Sequence, residues 1–179
     1  MEEKGKFYVK SALISLILLP LVVLSSEKLI AFFIENRFLL AVVFVPLIEE
    51  GGKISVYFLS RNRKSNVLRN FRGVWLLLFV IGFSFAATEN LLYFITKNSV
   101  LQYGEIASRI VSAQILHSII PTYFAFFYNS KKKLSAVALV VLFHSIWNAF
   151  IYFELNLIFV YLFALLLTVF SIFKFIRNK

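Results

Sequence analysis

Residues 38 to 60 read FLLAVVFVPLIEEGGKISVYFLS. As a helix rising about 1.5 Å per residue, this stretch is long enough to cross the roughly 30 Å hydrocarbon core of a bilayer. Yet Glu49, Glu50 and Lys53 stand in its middle. An ionisable group near mid-bilayer costs at least ~2.5–3.5 kcal/mol on insertion scales, so such groups face the interior of a helical bundle and do something there. The stretch therefore predicts both a membrane-spanning helix and a functional interior.

The rest of the chain agrees. Its 179 residues are 60% apolar and 16% charged, with 22 Phe, whereas soluble domains run nearer ~45–50% apolar and ~25% charged. Apolar spans are predicted at Phe7 to Leu24, Phe38 to Ser60, Val74 to Ile95, Ile106 to Tyr128, Leu134 to Phe153 and Leu157 to Ile176. Six such helices make one all-α membrane domain over residues 1–179. The first span is read as a helix and not a signal peptide, because Glu2 and Glu3 dilute its basic end and Val23-Leu24-Ser25-Ser26 is a weak cleavage match. Cysteine is absent, which excludes disulfides, thiolate metal sites and a Cys nucleophile.

The formal charge of +10 reads as topology rather than as nucleic-acid binding, and no nucleic-acid partner is expected. Lys4, Lys6 and Lys10, then Arg61, Arg63, Lys64, Arg69 and Arg72, then Lys131, Lys132 and Lys133, then Lys174, Arg177 and Lys179 all fall on alternate connections. Only Lys28, Arg37, Lys97 and Arg109 fall on the other side. The positive-inside rule then places both termini in the cytoplasm, with the loops near Glu27, Asn98 and Glu154 outside. Glu27, Glu35, Glu105 and Glu154 are expected to be solvated in these outer connections.

Polar residues remain where hydrocarbon should be: Glu49, Glu50 and Lys53 in the second span, Glu89 and Asn90 in the third, His117 in the fourth, His144 and Asn148 in the fifth. Counted from the predicted outer ends of the helices, Glu49, Glu50 and His117 lie roughly 17 Å deep, His144 about 14 Å, Glu89 about 9–10 Å and Asn148 about 8 Å. Helices of alternating direction thus deliver their ionisable groups to one layer. Lys53 follows Glu50 by three residues and Glu49 by four, so it can bond back to either carboxylate. His144 and Asn148 share a face, and Gly51, Gly52, Gly82, Ala86 and Ala87 permit close helix contact. Two adjacent carboxylates in low dielectric repel, which suits a division into one base and one acid or stabiliser.

Glu49-Glu50-Gly51-Gly52-Lys53 has the form EExxK, Phe85 to Asn90 the form FxxxEN, His117 stands alone in the next helix, and His144 to Asn148 has the form HxxxN. In that order on four consecutive helices, within a motif-bearing core of about 38–153, the chain resembles the PrsW family of intramembrane proteases. That family is distantly related to the type II CAAX prenyl endopeptidases and to the scaffold subunit of gamma-secretase. The chain departs in having Asn148 where Asp is as frequent, and Glu89 where the CAAX-type relatives have His.

The resemblance implies hydrolysis of a peptide bond inside a bacterial cytoplasmic membrane, toward its outer face. The implied partner is a membrane protein substrate, in bacteria often a single-span anti-sigma factor. By similarity, Glu49 activates water, Glu89 or His117 holds it, His144 and Asn148 donate to the oxyanion, and Glu50 and Lys53 set the charge. This reading expects no cofactor. Its alternative is a zinc enzyme with Glu49, Glu89, His117 and His144 as ligands. A non-enzymatic membrane scaffold is the other alternative, and a transporter is disfavoured because no inverted repeat or broken-helix pair is evident.

Overall fold

The protein is described by a computed structural model, which defines the backbone of residues 2–60, 70–96 and 103–178. Arg61, Arg63, Lys64, Arg69, Lys97, Asn98 and Lys179 lie outside the described residues, as do the side chains of Glu2, Glu3, Lys4, Lys6, Glu105 and Arg109. The charge pattern at those positions remains an argument from sequence.

Among the described residues there are six helical rods and no strand. They are α1 (residues 2–33), α2 (37–60), α3 (Phe71–Thr96), α4 (103–127), α5 (Lys133–Tyr152) and α6 (Leu157–Arg177). Four stretches are long and apolar enough to cross a membrane: Tyr8–Phe33, Phe71–Ile95, Lys133–Tyr152 and Ile158–Arg177. The rod α2 carries Glu49, Glu50 and Lys53, and the apolar part of α4, Val111–Phe127, is shorter.

The first helix departs from expectation by continuing past Leu24 to Phe33. The run Ser25-Ser26-Glu27-Lys28 looks like the end of a span, but Ser25 and Ser26 return their hydroxyls to the carbonyls of Leu21 and Val22 at 2.8 Å. Their polarity is thus absorbed by the helix itself. Leu19 and Val23 on the same rod are buried, and Leu19 packs so close to Gly52 that a Cβ there would come within 2.6 Å of its Cδ1. Tertiary packing therefore holds the helix where hydropathy alone predicts a loop.

Each of the three prolines sits beside a distortion. Ile14–Leu18 and Leu40–Phe44 are π-helical and precede Pro20 and Pro46, while the end of α4 tightens into a 3₁₀ helix, Ile120–Phe127, around Pro121. Proline supplies no N–H, so carbonyls in the preceding turn lose their partner and must find another. Leu16 O accepts from Thr88 Oγ1 on α3, and Ala41 O accepts from Asn148 Nδ2 on α5, both at 2.8 Å. His117 O, four residues before Pro121, lies against Gly82, where a Cβ would come within 1.9 Å of it.

The central helix is α3: 56% of its apolar stretch is buried, against 22–28% for the three others that qualify as spans. Val74, Leu77, Leu78 and Ile81 form its core face, with Ile120, Phe124 and Val140 across from it. Trp75 Nε1 donates to Ser171 Oγ at 2.8 Å, and Arg72 donates to the carbonyls of Phe175 and Ile176 at the end of α6. The two Arg72 bonds satisfy terminal carbonyls that a helix end leaves without partners. Leu21, Leu29, Phe32, Leu165 and Leu166 are exposed on the outside of the bundle, as a lipid-facing surface requires.

Candidate active site

Four rods bring their polar residues to one place. Glu49, Glu50 and Lys53 come from α2, Glu89 from α3, His117 from α4 and His144 from α5. Lys53 is fully buried, and its Nζ lies 2.5 Å from Glu50 Oε1, 2.8 Å from His117 Nδ1, 3.7 Å from Glu49 Oε2 and 4.6 Å above the Phe85 ring. The i, i+3 and i, i+4 spacing seen in the sequence thus becomes a set of real contacts.

These contacts assign the protons of both imidazoles. An ammonium has only donors, so His117 Nδ1 accepts from Lys53 and its Nε2 carries the proton, 2.9 Å from Glu89 Oε2. His144 Nδ1 faces Glu50 Oε1 at 2.9 Å and donates to it. The lone pair of His144 Nε2 is left pointing toward Glu49 Oε2, 3.8 Å away. Glu50 Oε1 therefore accepts from both Lys53 and His144. The two imidazole rings meet edge to face, with centroids 4.9 Å apart.

Glu49 Oε2, like Glu50 Oε2, is buried without a hydrogen bond, and it is surrounded by Lys53 Nζ, His117 Nδ1 and His144 Nε2 at 3.7, 3.5 and 3.8 Å. Those separations are too long for direct bonds and suit an intervening atom.

Two cavities share Glu49 and Glu89 as a wall. The first, of about 280 Å³, is lined on its polar side by Ser112, His117, His144 and Asn148. The second, of about 350 Å³, lies between α1 and α3 and includes Glu27, whose carboxyl reaches that of Glu49. Glu27 was expected to be solvated; the continued helix brings it inward instead. The signal in the sequence is a helical stripe, since Pro20, Val23, Leu24 and Glu27 recur at three- and four-residue spacing. Glu35 and Glu154, by contrast, are exposed as expected.

The two asparagines take structural bonds. Asn148 lines the first cavity while its amide donates to Ala41 O. Asn90 is buried, lines neither cavity and donates to Gln114 Oε1 at 3.4 Å, and Gln114 in turn donates to Phe83 O.

The donor set fits a divalent ion. Ligand atoms of Glu49, Glu50, His117 and His144 all lie within 4.8 Å of one another. Glu49 Oε2, Glu50 Oε2 and His144 Nε2 are not engaged in hydrogen bonds, and Glu50 Oε1 holds the far nitrogen of His144, as carboxylates do behind metal-bound imidazoles. Glu49 and Glu50 share one ammonium, Lys53, and Glu89 and Glu27 stand beside them, so carboxyls outnumber cations in the cluster and a bound cation would offset the excess.

A family model described as PrsW family intramembrane metalloprotease matches residues 4–174. No curated protein and no solved structure matches the chain.

Proposed function

The chain belongs to the PrsW family of intramembrane proteases, and from that premise and the geometry of its buried cluster we propose that it hydrolyses a peptide bond of a membrane protein at the wall formed by Glu49 and Glu89. The family makes it a hydrolase and a multi-pass membrane protein. The single observation that carries the assignment of the site is Glu49 Oε2, buried without a hydrogen bond amid three nitrogens at 3.5–3.8 Å.

The sequence reading expected no metal, but the donor set and the family's description as a metalloprotease favour the zinc alternative. Glu49, His144 and His117 would hold the ion, His117 through Nδ1 once Lys53 gives up its bond there, with Glu50 fixing His144 from behind; Glu89, a ligand in the alternative read from the sequence, lies outside this donor set. Bound zinc supplies an acidified water and polarises a carbonyl. Glu89, with its side chain 28% exposed at the shared wall, is placed to take a proton from the attacking water and return it to the leaving amine. His117 Nε2 stands 2.9 Å from Glu89 Oε2, beside the carboxyl that does this. Asn148 faces the same cavity and can donate its second amide hydrogen to the developing oxyanion.

A metal-free reading keeps one specific support. Lys53 already bonds Glu50 and His117 and lies 3.7 Å from Glu49, so a cation is built into the cluster and Glu49 itself would be the base. The deciding experiment is cleavage of single-span substrates in proteoliposomes with a chelation arm. The zinc reading expects loss of activity on chelation, recovery with added zinc, and about one ion per chain in the purified enzyme. Full activity after chelation without bound metal overturns it in favour of Glu49 as base. Near-normal turnover by Glu49→Gln overturns the site under either chemistry.

We also propose six spans with both termini cytoplasmic, in a bacterial cytoplasmic membrane, and a single-span substrate of which an anti-sigma factor is the first candidate. Support comes from the distribution of Lys and Arg and from the family resemblance.

A further inference from the structure

The second cavity has no role in the chemistry just described. It shares Glu49 and Glu89 with the first but is built differently: Pro20, Val23 and Leu24 from α1 face Phe85, Leu92 and Tyr93 from α3. We infer that this cavity is the pocket that receives a large apolar side chain of the substrate beside the scissile bond, so that α1, which lies outside the motif-bearing core, sets specificity. The inference rests on the proteolytic reading above.

Three observations carry it. First, the cavities meet at the wall where the reaction is placed, so a peptide whose carbonyl reaches Glu49 and Glu89 from the first cavity has a neighbouring side chain at the mouth of the second. Second, the size is right: an apolar cavity of about 150 Å³ accepts benzene, and this one, at about 350 Å³, has room for an aromatic or branched side chain. Third, the polar groups at the cavity are one-sided. The carboxyls of Glu27, Glu49 and Glu89 outnumber Lys28, so an acidic side chain meets more acceptors than donors and an apolar one meets hydrocarbon.

The test uses the full-length enzyme in proteoliposomes with single-span peptides of Leu and Ala, one residue being varied through Ala, Leu, Phe and Asp. Mass spectrometry of the products maps the cleaved bond. At one fixed position beside that bond, Phe and Leu are expected to exceed Ala in kcat/KM by about tenfold or more, the discrimination a hydrophobic pocket provides, with Asp the poorest. Leu24 lines the pocket and is 39% exposed, so it can be changed without emptying the core. Leu24→Trp should abolish the advantage of Phe while the Ala peptide is still cleaved, and Leu24→Ala should widen it. A Phe-to-Ala ratio that is the same in the wild type and in both variants, with the Ala peptide turned over normally, overturns the pocket and leaves the protease standing. Failure of the wild type to cleave any peptide in the series overturns the proteolytic reading, and the pocket with it.

Discussion

Lys53 carries the charge balance of the cluster. Fully buried and bonded to Glu50 and His117, it is the cation on which two buried carboxylates depend. Removing one partner of a buried ion pair leaves an uncompensated charge and typically costs about 3–5 kcal/mol. Lys53→Met should therefore lower unfolding stability in detergent by about that amount, and a denaturant midpoint equal to wild type would contradict the structure. Glu49→Gln differs in kind. It preserves shape while removing a ligand or base, so stability should be retained while cleavage falls by a factor of about 10² or more. The residues of this cluster were legible in the sequence because each ionisable group stands alone in hydrocarbon, where it needs a reason. Glu27 was not, because its neighbours Ser25, Ser26 and Lys28 imitate a loop. Only packing against α2 shows that the helix continues.

At the scale of elements, the prolines convert broken helical ladders into fixed points around the site. Pro20 and Pro46 leave carbonyls that Thr88, adjacent to Glu89, and Asn148, one turn after His144, take up from other helices. Thr88→Val and Asn148→Ala should each cost about 0.6 kcal/mol and at most about 1.7, the mean and maximum measured for hydrogen bonds between membrane helices, and thermal unfolding in detergent reads this directly. Pro121 creates the third fixed point, the contact of Gly82 with His117 O. A Cβ at residue 82 would lie 1.9 Å from that oxygen and 2.9 Å from its carbon, whereas nothing lies within 4 Å of a Cβ at residue 51. Gly82→Ala is thus expected to displace His117 and inactivate the enzyme. Gly51→Ala should fold normally and gain about 0.5–1 kcal/mol from helix propensity. Equal behaviour of the two alanine variants would refute the packing. Helix boundaries were readable from hydropathy at five of six rods, but the partners of the freed carbonyls were not, because they depend on which helices meet.

The whole molecule is a bundle whose polar residues point inward and whose outer surface is apolar, so its stability belongs to a bilayer rather than to water. What orients such a bundle is the distribution of Lys and Arg over its short connections. The described part of that pattern includes Lys131 and Lys132 in the α4–α5 connection, both exposed, and the α1–α2 connection with exposed Glu35. A cytoplasmic N-terminus puts the first of these inside and the second outside if every rod crosses the membrane. The chain contains no cysteine, so a single introduced thiol reports its own position without background. In intact spheroplasts, a membrane-impermeant maleimide should label Glu35→Cys at once and Ser130→Cys only after permeabilisation. A third variant, Glu154→Cys in the α5–α6 turn, should behave like Glu35→Cys. It tests whether α4 and α5 both cross, since a rod that fails to do so would reverse the face of every connection after it. The opposite labelling of Glu35 and Ser130 would invert the topology and place the cluster nearer the other leaflet. Labelling of all three from outside would mean that the rods between them do not each span the membrane, and the six-span arrangement would have to be abandoned.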